Sequence, residues 1–369
     1  MRSLIVYVCK QEIIITGMNS LLYSMYQHVC VLAMKAISDR GYRQGKIDRE
    51  WKKLLYRAAE ESPSIHTYKV FRSFLGDQII LQKRARTENT KASPAIICVL
   101  KNSLVYMKKF IPYYRELGVR HFIFVDNGST DGTLEYLREQ EDVTLLIAPY
   151  PYEYDRRSGW QLQALKYAGI DKWYLRLDAD EFLAWENMEG SSIPELIAKM
   201  ESRDMGTYRV VMADMYPSYS LMDGKHDDED FMDDYIFFDG DASYSWNSET
   251  GDVFGGMRRR TAGANLRMDK YIIFHPGRGC IPLPGHSMSG IHNEEEKKIR
   301  GILRHYKFLP SEREKYHFIS TQKRSGYSSF KQVSKYKKMV EGSITVYTEK
   351  SIRYESSKSI RKISFIEPL

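Results

Sequence analysis

Residues 121–133 read HFIFVDNGSTDGT, an apolar run that ends in a cluster of turn-forming residues. Such a run, bounded by Asp, Asn and Gly, predicts a strand buried on both faces and a tight loop after it. Upstream, AIICVL (95–100) predicts another strand of this kind. Between the two strands, Phe110, Tyr113 and Leu117 fall on one helical stripe. The order strand, helix, strand indicates a parallel crossover unit.

The same alternation continues after the loop. VTLLI (143–147) and WYLRL (173–177) predict two more buried strands, and SGWQLQALKYAG (158–169) predicts a helix that starts at a Ser-x-x-Gln capping box. We therefore predict an α/β fold with a doubly wound, mostly parallel, Rossmann-like sheet. Ligands bind beyond the carboxyl ends of the strands in such sheets. The DNGSTDGT loop and the acidic turn DADE (178–181) are both predicted at that edge.

The acidic turn carries two carboxylates that share one face. Asp178 and Asp180 are two residues apart in extended chain, so their side chains project to the same side. Paired carboxylates suit Mg²⁺ or Mn²⁺, which fill their other coordination positions with water and substrate phosphates. The turn therefore predicts a site for a divalent cation and a diphosphate. A polar turn that only caps the strand is the alternative.

The DNGSTDGT loop is a candidate contact for a nucleotide. Asp126 falls at a strand end, where its carboxylate could accept hydrogen bonds from a nucleobase or a ribose. The chain lacks both the GxxxxGK[ST] phosphate loop and a GxGxxG sequence after the first strand, so a nucleotide must be held in another way. An ordinary tight turn, which also favours Asp, Asn and Gly, is the alternative.

Composition describes a folded protein with an uneven charge. The 369 residues are 43% hydrophobic and include 27 Tyr and 15 Phe, too aromatic a mixture for a disordered chain. We divide the chain into a helical extension (1–93), the sheet domain (94–310) and a basic helical tail (311–369). The tail suits an anionic partner such as a membrane surface, with a solvated helical face as the alternative. We expect no nucleic-acid partner, and the acidic run 223–234 is predicted to be an exposed loop.

Cysteine usage and hydropathy bear on the compartment. The cysteines are widely scattered and form no CxxC pair, which is typical of free thiols in a reducing cytoplasm: Cys9, Cys30, Cys98 and Cys280. Residues 13–34 carry no charge, but polar side chains interrupt the apolar run, which favours a buried or amphipathic helix over a membrane span or signal segment. We expect a cytoplasmic protein that can associate peripherally with the inner membrane face.

The ordered series AIICVLKN, FIPYYRELGVRHFIFVDNGSTDGT, GWQLQAL and WYLRLDADEFL resembles the glycosyltransferase family 2 superfamily, in particular a bacterial branch with DN-x-STDGT followed by LDADEF. VVMADMYP, GGMRRR, SGIH and LRHYKFL are also similar to that branch. The resemblance spans roughly residues 95–309. It implies an A-type glycosyltransferase fold, a nucleotide-diphosphate sugar donor and a divalent metal. The chain departs from the branch at Ser103, which stands where a glutamate usually follows the position of Asn102.

The resemblance also assigns residues. It implies that Asp126 and Asn127 face the nucleotide, that Asp178 faces the ribose or the metal, and that Asp180 binds the metal. Other donor or metal contacts that we predict are Asn102, Arg157, Gln161, Lys307 and the histidines His292 and His305, with His292 as the metal ligand. Arg157 and Gln161 are chosen because backbone N–H groups at a helix N-terminus favour anions.

An inverting transferase also needs a general base for the acceptor hydroxyl. Asp214 resembles the Asp of the branch's DMYP element and is the first candidate. We expect its strand, YRVVMA, to lie beside the strand that carries the acidic turn. Glu181 is the second candidate, although it could instead orient its neighbours.

These observations favour a metal-dependent glycosyltransferase that moves a sugar from a nucleotide-diphosphate sugar, with UDP as the expected nucleotide, to a glycan, polysaccharide or lipid-linked saccharide. One alternative is a sugar-nucleotide pyrophosphorylase, but VLKNSLVYMKK lacks the glycine-rich signature that such an enzyme carries after its first strand. The other alternative is a non-catalytic protein that binds nucleotide sugars or glycans on the same fold.

Overall fold

A nine-stranded sheet forms the centre of the protein. A computed structural model describes residues 20–86, 93–221, 228–321, 334–341 and 344–369. The strands are β1 (Ile80–Lys83), β2 (Ala95–Leu100), β3 (His121–Asp126), β4 (Val143–Ile147), β5 (Tyr174–Arg176), β6 (Glu181–Trp185), β7 (Thr207–Asp214), β8 (Phe237–Phe238), β9 (Tyr244–Trp246), β10 (Val253–Gly255), β11 (Asp269–Phe274), β12 (Ile281–Pro282), β13 (Met288–Ser289), β14 (Ile299–His305) and β15 (Ile352–Arg353).

Helices cover both faces of the sheet. They are α1 (Ser20–Arg43), α2 (Arg49–Glu61), α3 (Ile65–Gly76), α4 (Leu104–Glu116), α5 (Thr133–Glu139), α6 (Tyr154–Leu165), α7 (Ile193–Ser202), α8 (Phe231–Asp234), α9 (Gly256–Ala262), α10 (Arg313–Thr321) and α11 (Lys337–Glu341). No helix among the described residues is long and apolar enough to cross a membrane.

The sheet is mixed: β2 to β5 pair in parallel, as do β7 and β14, whereas β1 runs antiparallel to β4 at one edge. Its order is β1-β4-β3-β2-β5-β11-β7-β14-β6. The predicted strands β2 to β5 pair in parallel, which confirms the α/β class. Beyond β5, however, β11 runs antiparallel between β5 and β7, and β6 runs antiparallel to β14. The expectation that β7 lies beside β5 is therefore wrong, because a strand from much later in the chain separates them.

Alternation along β2 divides the core into two layers. Side chains of successive strand residues point to opposite faces, so Ile96 and Cys98 pack with α4 on one face. Ile97 and Val99 pack on the other face, together with aromatic residues of α2, α3 and α6. Each fully buried large apolar side chain contributes about 1.5–3 kcal/mol. This double burial explains why the parallel strands are continuous apolar runs rather than alternating ones.

The segment GWQLQAL forms the C-terminal half of α6 rather than its start. The helix begins at Tyr154, four residues before the predicted cap at Ser158. Gly159 allows the close approach of α3, since a Cβ there would lie 2.7 Å from the Cβ of Ser73. Gln163 then donates to the Ser73 carbonyl oxygen at 3.0 Å. The N-terminal helices are thereby attached directly to the helix that carries the candidate donor contacts.

The described part of the C-terminal region packs onto the sheet domain. β15 pairs with β8, and Ile360 and Ile363 are buried in the same hydrophobic cluster as α4. Much of the basic stretch, residues 322–333, lies outside the described residues, as do Cys9 and residues 222–227 of the acidic run. Cys98 and Cys280 are free thiols, and they are buried, as is Cys30.

Candidate functional site

The acidic turn lies between β5 and β6, at the carboxyl end of β5. The Glu181 N–H donates to the Asp178 carbonyl oxygen at 3.2 Å and closes the turn. The Tyr306 N–H, just beyond β14, donates to the Asp180 carbonyl oxygen at 2.9 Å. The turn is therefore joined to the end of β14 through the backbone, and the side chains of Asp178 and Asp180 contact different groups.

Asp178 lies between two cations. Arg157 Nη1 donates to Asp178 Oδ1 at 2.8 Å, and Lys270 Nζ is 3.6 Å from Asp178 Oδ2. Lys270 Nζ also contacts both carboxylate oxygens of Glu181, at 2.8 and 2.6 Å. Burial alone would raise the pKa of Asp178, but Arg157 and Lys270 outweigh it and hold that pKa below its usual value. Asp178 is thus ionised, and both of its carboxylate oxygens face cationic side chains.

Asp180 begins a buried polar chain. Its Oδ2 is 3.3 Å from His305 Nε2, and His305 Nδ1 is 2.7 Å from Asp214 Oδ1. Arg258 Nε donates to Asp214 Oδ2 at 2.8 Å, and Arg258 Nη1 donates to the Tyr336 hydroxyl at 3.0 Å. Burial opposes a charge on His305, yet the two carboxylates raise the pKa of its imidazole above the ordinary value. The chain links Tyr336, which precedes α11, to the acidic turn.

The two candidate bases occupy closed positions. Asp214 is 2% exposed, and its two oxygens are taken by His305 and Arg258. Glu181 is 1% exposed, and both of its oxygens face Lys270. Neither carboxylate keeps an oxygen open to an acceptor hydroxyl, so this geometry does not fit the role of general base that the sequence suggested. It fits the alternative of residues that orient their neighbours.

The DNGSTDGT loop is held by hydrogen bonds of Asp126, Asn127 and the neighbouring Asn102. Asp126 Oδ1 accepts from the N–H groups of Gly128 and Ser129 at 2.8 and 3.0 Å. Asn127 Nδ2 donates to the carbonyl oxygens of Ala148 and Tyr150 at 2.9 and 2.8 Å. Asn102, at the end of β2 with a positive φ of 50°, accepts from the Thr130 N–H at 2.8 Å. Asn102, Asp126 and Asn127 thus come together, and all three shape the loop.

Unpaired polar atoms lie on α6 beside Asp178. Gln161 is 1% exposed, and neither its Oε1 nor its Nε2 has a hydrogen-bond partner among the described residues. Arg157 Nε, one helical turn away on the same face, is unpaired in the same sense. Arg176 on β5 is a third residue with such an atom, its Nε. Buried polar atoms are nearly always hydrogen-bonded, so this group indicates a place where a polar ligand or water completes the structure.

Two further candidates are placed differently. Lys307 lies 5.0 Å from the Tyr316 ring and acts electrostatically on Asp180. His292 is not brought to the acidic turn. Its Nε2 is 2.9 Å from the Asp204 carbonyl oxygen, and Asp204 precedes the first residue of β7, whereas Asp214 ends that strand. Eight residues of extended strand span about 25 Å, so His292 lies at the opposite end of β7 from His305.

Sequence reasoning missed Lys270, Arg258 and Glu312. Lys270 stands at the start of β11, in RMDKYIIF. It is fully buried, and a lysine is almost never fully buried unless it is paired with an acid. Glu312 is a buried carboxylate just after β14. Burial raises its pKa, and Asp180 and Lys307 are among the charges that act on it. A buried acid with a raised pKa near a charged turn is a candidate proton acceptor.

The side chains at the turn fit a metal site in which the substrate supplies part of the coordination shell better than a site formed by protein ligands alone. Within the described ranges, no three His, Cys, Asp or Glu side chains are grouped as metal ligands. Asp178 is engaged by two cations, which leaves Asp180 as the principal carboxylate, with His305 beside it. Mg²⁺ and Mn²⁺ sites of this kind take one or two protein ligands and complete their shell with substrate phosphates and water.

Comparison with known proteins adds a distant structural likeness. No protein-family model and no curated protein matches the chain. Among solved structures, a crystal structure of S. aureus TarS 1–349 is similar at 17% identity with a TM-score of 0.25. The match covers 35% of this chain and 41% of the TarS chain, well under half of either. The class that the coordinates themselves define is an α/β protein with a Rossmann-like central sheet.

Proposed function

We propose that this protein is an A-type glycosyltransferase that transfers a sugar, with inversion, from a nucleotide-diphosphate sugar to a glycan or polysaccharide acceptor. The observation that carries the proposal is the pair of buried side chains Arg157 and Gln161 on one face of α6, which keep unpaired polar atoms while Arg157 contacts Asp178 of the acidic turn. Donors and acceptors left unpaired in a buried position cost about 1–3 kcal/mol each. A nucleotide sugar would supply their partners.

Each residue then has a role toward the donor. Arg157 and Gln161 would bind polar groups of the nucleotide or diphosphate, with Lys307 as a further cation. The loop of Asn102, Asp126 and Asn127 would form the wall for the nucleoside, mainly through its backbone. Asp180 would hold Mn²⁺ or Mg²⁺, with substrate phosphates and water completing the shell, and His305 would hold the Asp180 carboxylate in place. When bound, such a cation neutralises negative charge that develops on the departing diphosphate.

Glu312 is our candidate for the general base. A base must be open to the acceptor hydroxyl and must ionise near the working pH. Burial raises the pKa of Glu312, and Asp180 is among the charges that act on it. Lys315 Nζ contacts Glu312 Oε2, so Oε1 is the oxygen that would take the proton, whereas Asp214 and Glu181 have both oxygens engaged. Asp214 is then a positioning residue that fixes the imidazole of His305.

UDP is the expected nucleotide and a lipid-linked saccharide is one acceptor class in this proposal. Association with an anionic membrane surface would use the exposed basic side chains after Ile344 together with the basic residues of 322–333: Lys350, Arg353, Lys358, Arg361 and Lys362 are all exposed. The proposed location is cytoplasmic, at the inner membrane face.

The test is a screen of nucleotide sugars with Mn²⁺, with free nucleotide as the readout. We expect one donor to be hydrolysed slowly without acceptor, and Asp180→Ala to abolish metal-dependent binding of UDP in a calorimetric titration. Asp171→Ala is the matched control, because Asp171 is a 99% exposed acid at the other end of β5. Unchanged UDP affinity in Asp180→Ala would remove the metal assignment. Pyrophosphate-dependent formation of UTP would favour the pyrophosphorylase instead, and binding without turnover would favour a non-catalytic protein.

A further inference from the structure

A polar cavity lies near β6, the edge strand of the sheet, away from the acidic turn. Its volume is about 610 Å³, within the range of roughly 300–1,000 Å³ typical of small-ligand pockets. Its walls are the C-terminal end of α4, the segment 188–195 that leads into α7, and residues 354–356 near the C-terminus. Arg304 of β14 lines it as well. Four separate parts of the chain therefore line it.

The cavity is on the other face of β14 from the polar chain of the candidate site. Arg304 and His305 are successive strand residues, so their side chains point to opposite faces. His305 contacts Asp180 and Asp214, whereas Arg304 contacts the rings of Tyr113 and Tyr354. A ligand in this cavity would thus share a strand with the candidate site without touching its side chains.

Arg304 is a buried cation without an acid partner. It is 8% exposed, and its guanidinium carbon lies 5.3 Å from the Tyr113 ring centre and 4.7 Å from that of Tyr354. Arg304 Nη1 donates to the Tyr306 hydroxyl at 3.4 Å, but Nε has no partner among the described residues. No carboxylate in the described part of the chain forms an ion pair with it. A guanidinium in this state has donors available for a ligand oxygen.

The rest of the lining determines which ligands can enter. Its other charged side chains are all carboxylates: Glu116, Glu189, Glu195 and Glu355. Glu189 accepts from the Ser357 N–H at 2.7 Å, and Glu195 accepts from the Ser192 N–H at 2.7 Å, so both are fixed in place. Four carboxylates against one guanidinium disfavour a phosphate or a nucleotide. They favour a neutral ligand rich in hydroxyl groups, which donates to carboxylates and accepts from a guanidinium.

We infer that this cavity binds a neutral saccharide unit and is a carbohydrate site separate from the candidate donor site. Arg304 would donate to ring or hydroxyl oxygens, the rim carboxylates would accept from hydroxyls, and Tyr113 and Tyr354 would pack against the apolar C–H faces of the sugar. This binding does not depend on the transferase proposal, because none of its side chains belongs to the donor site. If the transferase proposal holds, the cavity would bind a part of the glycan acceptor that lies away from the end that reacts.

The test measures binding of neutral hexasaccharides of glucose, galactose and N-acetylglucosamine to the full chain by saturation-transfer NMR and calorimetry. We expect at least one of them to bind, and the double variant Glu116→Ala/Glu355→Ala to weaken it at least about tenfold, the effect of losing about 1.4 kcal/mol of hydrogen bonding. Both glutamates are exposed at the rim, so the fold should persist. Arg304→Lys, which keeps the charge but loses the planar fork, should weaken it as well.

Controls separate this site from the other one. Glu314→Gln, at an exposed acid on α10, should bind the saccharide like the wild type, and UDP affinity should be unchanged in the cavity variants. Lack of binding by every hexasaccharide would overturn the inference. So would binding that survives the double glutamate variant, or binding that is lost in Asp180→Ala, since the saccharide would then occupy the donor site. Failure of Arg304→Lys to fold leaves the glutamate variant as the deciding measurement.

Discussion

The two turns at the carboxyl edge of the sheet are both acidic, but their carboxylates contact different groups. In the DNGSTDGT loop, Asp126 and Asp131 accept mainly from backbone N–H groups and hydroxyls of the same loop. In the DADE turn, the carboxylates face Arg157, Lys270 and His305, which come from three other elements. One turn uses its acids to hold a backbone shape. The other places its acids beside cationic side chains from other elements.

The difference has an energetic consequence. A hydrogen bond to an exposed loop backbone contributes about 0.5–1.5 kcal/mol. Removing one partner of a buried ion pair costs about 3–5 kcal/mol, because the other charge is left without compensation. Substitutions in the DADE network should therefore affect stability or activity strongly, and substitution of Asp131, the exposed acid of the DNGSTDGT loop, only weakly.

The largest effect is expected for Glu312→Gln. If Glu312 is the base, turnover should fall by about 10²- to 10⁴-fold, the contribution typical of a general base, while donor affinity stays near the wild-type value. Stability should change little because Gln preserves the shape. Steady-state transfer rates and calorimetric donor titration on the same protein test this. Full turnover in the variant would exclude Glu312.

Asp214→Asn is the matched comparison for that variant. Its substitution leaves Arg258 buried without its carboxylate, so we expect a lower free energy of unfolding. If turnover fell by the full factor while the midpoint of unfolding stayed unchanged, the assignment of the base would return to Asp214.

A second large effect is expected for Lys270→Met, on stability. Lys270 is fully buried between Glu181 and Asp178, and methionine fills a similar volume without a charge. The free energy of unfolding should fall by about 3–5 kcal/mol. Lys108→Met is the control, because it breaks an exposed pair with Glu229 at 2.8 Å, worth about 0–1 kcal/mol. Urea denaturation of both variants measures the contrast, and equal losses would contradict it.

The same contrast explains what the sequence could predict. The strands β2 to β5 and the DNGSTDGT loop follow from local patterns, because apolar runs and turn residues determine structure within a few positions. The position of β11 beside β5 does not follow from such patterns, since its run, DKYIIF, carries no information about the strand with which it pairs. Lys270 was missed for that reason. Its partner Glu181 is 89 residues away along the chain.

The placement of Asp214 shows the same limit. The motif VVMADMYP correctly marks a strand end with an acid, but the role of that acid depends on what it meets there. Arg258 and His305 approach it from other elements, and Tyr336 completes the chain from a region beyond the recognised motifs. Spacing in the sequence identifies chemical groups, whereas their availability depends on long-range packing.

The smallest expected effect belongs to Asp131, in the locally held loop. Asp131 Oδ1 accepts from the Thr133 N–H at 3.0 Å, and Oδ2 accepts from the Leu104 N–H at 3.0 Å. One carboxylate thus serves the first residues of both α4 and α5, where helix N-termini favour negative charge. Burial opposes ionisation, but these hydrogen bonds together lower the pKa of Asp131 below its usual value.

A depressed carboxyl pKa adds stability that is fully present above the unfolded value of about 3.9 and is lost as the pH falls through the folded value. Asp131→Asn should therefore lower the free energy of unfolding at pH 7 by about 1 kcal/mol or less. The difference from the wild type should shrink as the pH falls below about 4, because both proteins are then neutral at this position. Urea denaturation at pH 7, 5 and 3 measures it, with Asp171→Asn as an exposed control. A difference that stays constant down to pH 3 would mean that the amide disturbs the loop geometry, and that charge at the helix N-termini contributes nothing there.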